Sequence, residues 1–171
     1  YTTVKQNPLT VSLIQGNIQQ SMKWNEKDLE NIIHTYYAQT KAHKDSDLII
    51  WPEAAIPTLA SNVPQVIDQL HEFTKKNQNT LIIGVPTYDT QTQQYFNSLL
   101  LLTPTTEQQY NKVHLVPFGE YIPLSGFFGF LFNTLNIPMS NFSAGSKTQP
   151  LLDASQIKIA PYICYEIAFP Q

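Results

Sequence analysis

The chain has 171 residues, a formal net charge of -3, 42% hydrophobic residues and 13% charged residues. That composition fits one globular domain and excludes wholesale disorder. Ten basic residues form no cluster, which argues against nucleic-acid binding, and four scattered histidines with one cysteine make a metal site improbable. In chain order, residues 9–15 (LTVSLIQ) alternate and predict a strand. Residues 25–43 set Leu29, Ile32, Ile33, Tyr36 and Tyr37 at helical spacing, with Asn25 and Asp28 as a capping pair. Residues 46–53 (SDLIIWPE) predict a short buried strand ending at Trp51 and Pro52. Residues 62–77 predict a second amphipathic helix that tolerates Pro64 in its first turn.

Residues 80–88 (TLIIGVPTY) read as a buried strand, and 95–104 with 107–113 as a hairpin around Pro104. Residues 156–164 (QIKIAPYIC) predict a last strand ending near Cys164. The order strand, helix, strand, helix, strands is that of an α/β chain with helices packed on a sheet. Residues 111–150 are expected to be mostly irregular. The most apolar stretch, residues 123–135 (PLSGFFGFLFNTL), is too short to span a bilayer, which takes about 20 apolar residues. No charged-then-apolar leader is visible, so the chain taken alone reads as soluble.

Cys164 is the one thiol. A strand end fixes a nucleophile and a turn exposes it, but a thiol with pKa near ~8.5 needs a base or a cation to act as thiolate. Glu53 follows a buried strand, and a carboxylate partly shielded by Trp51 and proline suits a general base. Lys112 follows another strand, where an ammonium holds a thiolate and then an oxyanion. Singly, these residues read as a core thiol, a loop carboxylate and a solvated lysine. Together they fall at strand ends, where α/β sheets assemble their sites. No G-x-S-x-G elbow, phosphate-binding loop or H-E-x-x-H motif is present.

The segments VSLIQGNIQQSMKWNE, LIIWPEAAIP, YNKVHLVPFGEYIP, IPMSNFSAGSKTQPLL and ICYEIAFP resemble, in this order, motifs of the carbon-nitrogen hydrolase (nitrilase) superfamily. Within it they are most similar to the apolipoprotein N-acyltransferases. The resemblance implies a nitrilase-like α-β-β-α sandwich. Residues 1–171 are expected to be part of that catalytic domain, without the transmembrane region and the C-terminal portion, and inactive in isolation. It implies Cys164 as nucleophile and thioester carrier, Glu53 as general base and Lys112 as oxyanion stabiliser. It further implies supporting roles for Trp24, Glu120, Tyr165 and Glu166. From the residues alone, Trp24 reads equally as a core or staple residue, Glu120 as a loop carboxylate, and Tyr165 and Glu166 as packing and capping groups.

The implied reaction needs no cofactor. An acyl chain passes from a membrane phospholipid to Cys164 and then to the α-amino group of a diacylglyceryl apolipoprotein. The implied setting is the bacterial inner membrane, with this domain facing the periplasm. The Phe-rich stretch 127–132 is then either a lipid-facing arm or a core helix. Two other readings stand beside this one. One is a soluble amidase or nitrilase with the same triad and water as acceptor. The other is a non-enzymatic lipid- or lipoprotein-binding module.

Overall fold

Connection length decides strand direction in this chain. A computed structural model describes residues 8–23, 25–121, 142–154 and 157–169; Trp24 and the stretch 127–132 lie outside them. The elements are β1 (Val11–Leu13), α1 (Gln20–Lys23), α2 (Leu29–Ala42), β2 (Leu48–Ile50), α3 (Pro64–Asn77), β3 (Thr80–Asp89), β4 (Gln94–Leu102), β5 (Glu107–Asn111), β6 (Leu152–Asp153) and β7 (Lys158–Ile159). Short 3-10 turns occupy Glu26–Asp28, Ala60–Asn62 and Cys164–Ala168. The first five strands form one sheet in the order β1-β2-β3-β4-β5. β1, β2 and β3 are parallel, each pair joined across a helix, whereas β3, β4 and β5 are antiparallel and joined by turns.

The central strands β2, β3 and β4 are buried on both faces, which is why they read as apolar runs, whereas the edge strands β1 and β5 are partly exposed. Ile49, Leu81, Ile83, Leu100 and Leu102 face α2 and α3, packing with Ile32, Tyr36, Ile67, Leu70 and Phe73. Leu48, Ile82 and Leu101, one residue out of phase, form a second cluster with Tyr110, Val113, Leu152 and Ile163. Both helices match the periodicity seen in the sequence. Pro64 takes the first helical position of α3, and Gln78 ends that helix in the left-handed region at φ 54°. Asn25 does cap, but its side chain accepts from Lys27 N of the 3-10 turn, and α2 starts only at Leu29.

Two expectations need correction. The first strand is Val11–Leu13, shorter than residues 9–15. The strand expected over 156–164 is only Lys158–Ile159, and it pairs with β6 in a separate two-stranded sheet. Pro161 offers no N–H to a ladder, so the pairing has no means of continuing through it to Cys164.

Candidate active site

Glu53 is seated by what lies on either side of it. Trp51 continues the β2 pairing through its N–H to Ile82 O at 2.8 Å, and its ring is spent in the core. It stacks on Tyr36 at 5.0 Å and donates Nε1–H to Thr40 Oγ1 at 2.7 Å. The chain then folds back over β3 with Ala54 at φ 46°, and Ile56 N donates to Gly84 O at 3.2 Å. Gly84 makes this approach possible. A Cβ there would stand 2.2 Å from Pro52 O and 2.8 Å from Glu53 Cα.

Lys112 follows β5 directly. Its N–H donates to Asn97 O at 2.9 Å and its carbonyl accepts from Gly145 N at 2.8 Å. The ammonium is the centre of the site and is only 1% exposed. It lies 3.2 Å from Glu53 Oε1 and 2.8 Å from Glu120 Oε2. Burial by itself would lower its pKa. The hydrogen bonds and charges of Glu120 and Glu53 outweigh burial and hold it above the ordinary lysine value.

Glu120 sits on a tight turn whose Phe118 has φ 61°. Its Oε2 also accepts from Val116 N at 2.8 Å. Asn97, on β4, was not singled out from the sequence. Its Nδ2 donates to Glu53 Oε1 at 2.7 Å and to Glu120 Oε1 at 2.6 Å. An asparagine inside a strand, where this residue type is depleted, was the available signal.

Cys164 opens the C-terminal 3-10 turn, five residues beyond β7 rather than at a strand end. It is exposed and has φ 51°, a left-handed conformation that costs energy for a residue with a side chain. Glu166 holds that turn. Its carboxylate is 1% exposed and accepts from Ile163 N at 2.8 Å, Val113 N at 2.7 Å and His114 N at 3.1 Å. Tyr110 OH donates to the same carboxylate at 3.0 and 3.2 Å. Burial first, then the Glu166 charge, push the Tyr110 phenol far above its usual value, so it stays a donor. Tyr165 points outward and meets Phe169 edge-on at 5.0 Å.

Glu53, Asn97, Lys112, Glu120 and Cys164 thus line one cleft of about 360 Å³, with Lys23 and Phe142 at its margin. Of the residues named from the sequence, Glu53, Lys112, Glu120 and Cys164 come together. Glu166 stands behind them, and Tyr165 lines a neighbouring apolar groove with His114 and Phe169. Among the described residues no His, Cys, Asp and Glu cluster has metal-site geometry. A thiol, a carboxylate with an open oxygen and a buried ammonium are a sufficient set for acyl transfer through a thioester.

Residues 10–171 match the carbon-nitrogen hydrolase family. Curated relatives named apolipoprotein N-acyltransferase include that of Pseudomonas putida, 37% identical over 96% of this chain and 33% of the relative. That of Photobacterium profundum is 38% identical over 95% of this chain and 33% of the relative. That of Coxiella burnetii is 40% identical over 94% and 33%. The chain therefore spans about a third of the length of the curated relatives it matches. Among solved structures, a CN-hydrolase superfamily protein from Xanthomonas campestris superposes with TM-score 0.66 at 20% identity, covering 96% of this chain and 56% of that one. A nitrilase-superfamily member from Saccharomyces cerevisiae gives 0.62 at 18% identity, covering 94% and 57%. The nitrilase-like fold expected from the motifs is borne out.

Proposed function

We propose that this chain, which belongs to the carbon-nitrogen hydrolase family, works within an apolipoprotein N-acyltransferase. Glu53 takes the Cys164 thiol proton as sulfur attacks the ester carbonyl of a membrane phospholipid. Lys112 neutralises the oxyanion of the tetrahedral intermediate. The C–O bond then breaks, the lysophospholipid leaves with a proton from Glu53, and the acyl chain remains on sulfur. The neutral α-amino group of a diacylglyceryl apolipoprotein attacks the thioester, Glu53 takes a proton from that nitrogen, the C–S bond breaks, and Glu53 returns the proton to sulfur, restoring the thiol. Splitting ester-to-amide exchange in this way replaces one hard step by two easier ones. A positioned base contributes about 10²–10⁴-fold. The chemistry requires no cofactor. On this reading the whole protein works at the bacterial inner membrane, with this domain on the periplasmic side.

The observation that carries this reading is the Lys112 ammonium, held between Glu53 and Glu120 in a cleft that also opens onto Cys164. The test is intact mass spectrometry of the full-length protein after incubation with phospholipid. The expected result is a gain of one acyl chain, removed by hydroxylamine and missing in Cys164→Ala. A diacylglyceryl-cysteine peptide should then take up that chain. Release of free fatty acid instead, with the peptide unmodified, would identify water as the acceptor and a hydrolase. Absence of any acyl adduct on folded protein would defeat the covalent mechanism.

A further inference from the structure

We infer that Asn97 is a positioning residue that assigns different jobs to the two glutamates and directs the thiol proton to one oxygen, Glu53 Oε2. The inference rests on the proposed Glu53–Cys164 proton transfer and on a hydrogen-bond argument. An amide NH2 has two hydrogens and no lone pair to offer. Both point at carboxylate oxygens here, Glu53 Oε1 at 2.7 Å and Glu120 Oε1 at 2.6 Å. The two carboxylate neighbours fix the amide with its nitrogen toward them. Each bond occupies one lone-pair position, and Glu53 Oε1 spends its other one on the Lys112 ammonium, which leaves that oxygen no place for a proton.

Glu53 Oε1 also faces the Lys112 ammonium at 3.2 Å. Glu120 Oε2 faces that ammonium at 2.8 Å and Val116 N at 2.8 Å. Three of the four carboxylate oxygens thereby accept hydrogen bonds, and Glu53 Oε1 and Glu120 Oε2 accept two each. Among the described residues the fourth, Glu53 Oε2, has no hydrogen-bond partner, and Glu53 is 34% exposed in the cleft that Cys164 shares. In the transfer step the Cys164 S–H bond breaks, the proton joins Glu53 Oε2, and the sulfur electron pair forms the new bond to carbon. Glu120 remains an ionised counter-charge to Lys112. Asn97 also accepts the Lys112 N–H through its own carbonyl, so one residue of β4 aligns both carboxylates and the main chain of the lysine.

The charged and titratable groups around Glu53 are Lys112, Glu120, Cys164 and Lys23, whose Nζ lies 3.3 Å from the Glu53 carbonyl. Removing the Asn97 donor withdraws support from ionised Glu53 and leaves the two carboxylates facing each other. The readout is the rate of Cys164 alkylation by iodoacetamide against pH in the full-length protein. Asn97→Leu should move the acid limb of that profile up by about one to two pH units, the size of a lost hydrogen bond to a charged group. Its alkaline plateau should be unchanged.

Asn97→Ser keeps one donor and should move the limb by less, and it carries the test if the leucine variant does not fold. Glu53→Gln should remove the wild-type limb and leave only the rise, at higher pH, of a thiol ionising without a base. A plateau lowered at every pH with the limb in place would show a merely structural residue and overturn the inference. So would wild-type profiles in both variants, or a limb that keeps its wild-type position in Glu53→Gln. Alkylation needs no lipid, so this result stands apart from whether phospholipid yields a thioester.

Discussion

Replacing Glu166 tests whether a buried carboxylate, rather than a strand, sets the nucleophile in place. Glu166 accepts three backbone N–H groups and one phenol, and water does not reach it. In Glu166→Gln one side-chain oxygen becomes an NH2. That group must face either Ile163 N–H or the Val113 and His114 pair, and in both cases a donor meets a donor. The expected cost is about 2–3 kcal/mol, from one lost charge-assisted bond and one orphaned amide. Glu166→Ala orphans all three amides and the Tyr110 phenol, and should cost more than about 4 kcal/mol. Hydrogen exchange at Val113, His114 and Ile163 reads the effect directly. The Gln variant should exchange there about 30- to 150-fold faster, the factor that corresponds to 2–3 kcal/mol. Cys164 alkylation should slow at the same time, because φ 51° at that residue is no longer enforced. Wild-type exchange at the three amides in Glu166→Gln would refute the reasoning.

Lys112→Met removes the cation between Glu53 and Glu120 with little change in shape, and acyl-enzyme formation measured by mass should fall by at least about 10²-fold. A smaller fall would mean that the oxyanion is held elsewhere. Gly84→Ala drives a Cβ into Pro52 O at 2.2 Å, so it should displace Glu53 and cost about 1–3 kcal/mol in melting experiments, with transfer reduced more than stability. Unchanged transfer would show that the Glu53 segment moves freely over β3. Tyr36 and Tyr110 are raised from 10.0 by burial first, and Lys112 is held above 10.5 by its glutamate partners, so all three keep their protons more tightly when folded. Their contribution is complete below about pH 10 and is lost as pH rises through the folded values. Alkaline urea titrations should show stability falling from there upward, with a shallower fall in Tyr110→Phe.

The helices were legible because burial repeats along them. Ile32 and Tyr36 stand four residues apart, Ile67, Leu70 and Phe73 three apart, and each set meets the same sheet face. β2, β3 and the second half of β4 were legible as apolar runs because the middle of the sheet is covered on both sides. The last strand misled for a physical reason. QIKIAPYIC alternates as a half-buried strand does, yet alternation says nothing about whether a partner exists, and here the partner β6 has two residues. Glu53 and Lys112 stood out because each follows a strand. Glu166 read as a local cap, and Ile163 N does donate to it at 2.8 Å. Its bonds to Tyr110 and Val113 cross 56 and 53 residues of sequence, beyond any local pattern. Asn97 reaches partners 44 and 23 residues away and looked like any polar residue on a strand. Gly84 was the missed clue with a local signature, since a lone glycine inside a strand marks close backbone approach.

Three carboxylates of one residue type take three roles here, and their surroundings decide which. Glu166 is ringed by backbone donors and water is excluded, so it is fit only to accept, and it serves as a joint. The joint connects the neighbours of both reactive residues, because Val113 adjoins Lys112 and Ile163 adjoins Cys164. That is why Cys164 needs no long strand beneath it. Glu120 meets a cation, an amide and a backbone N–H, so it is fit to stay ionised and to hold Lys112 charged inside the protein. Glu53 alone of the three combines exposure to the cleft with an oxygen that has no partner among the described residues, which suits the base role proposed for it. Exchanging any two of these environments would leave the residue list intact and the chemistry undone.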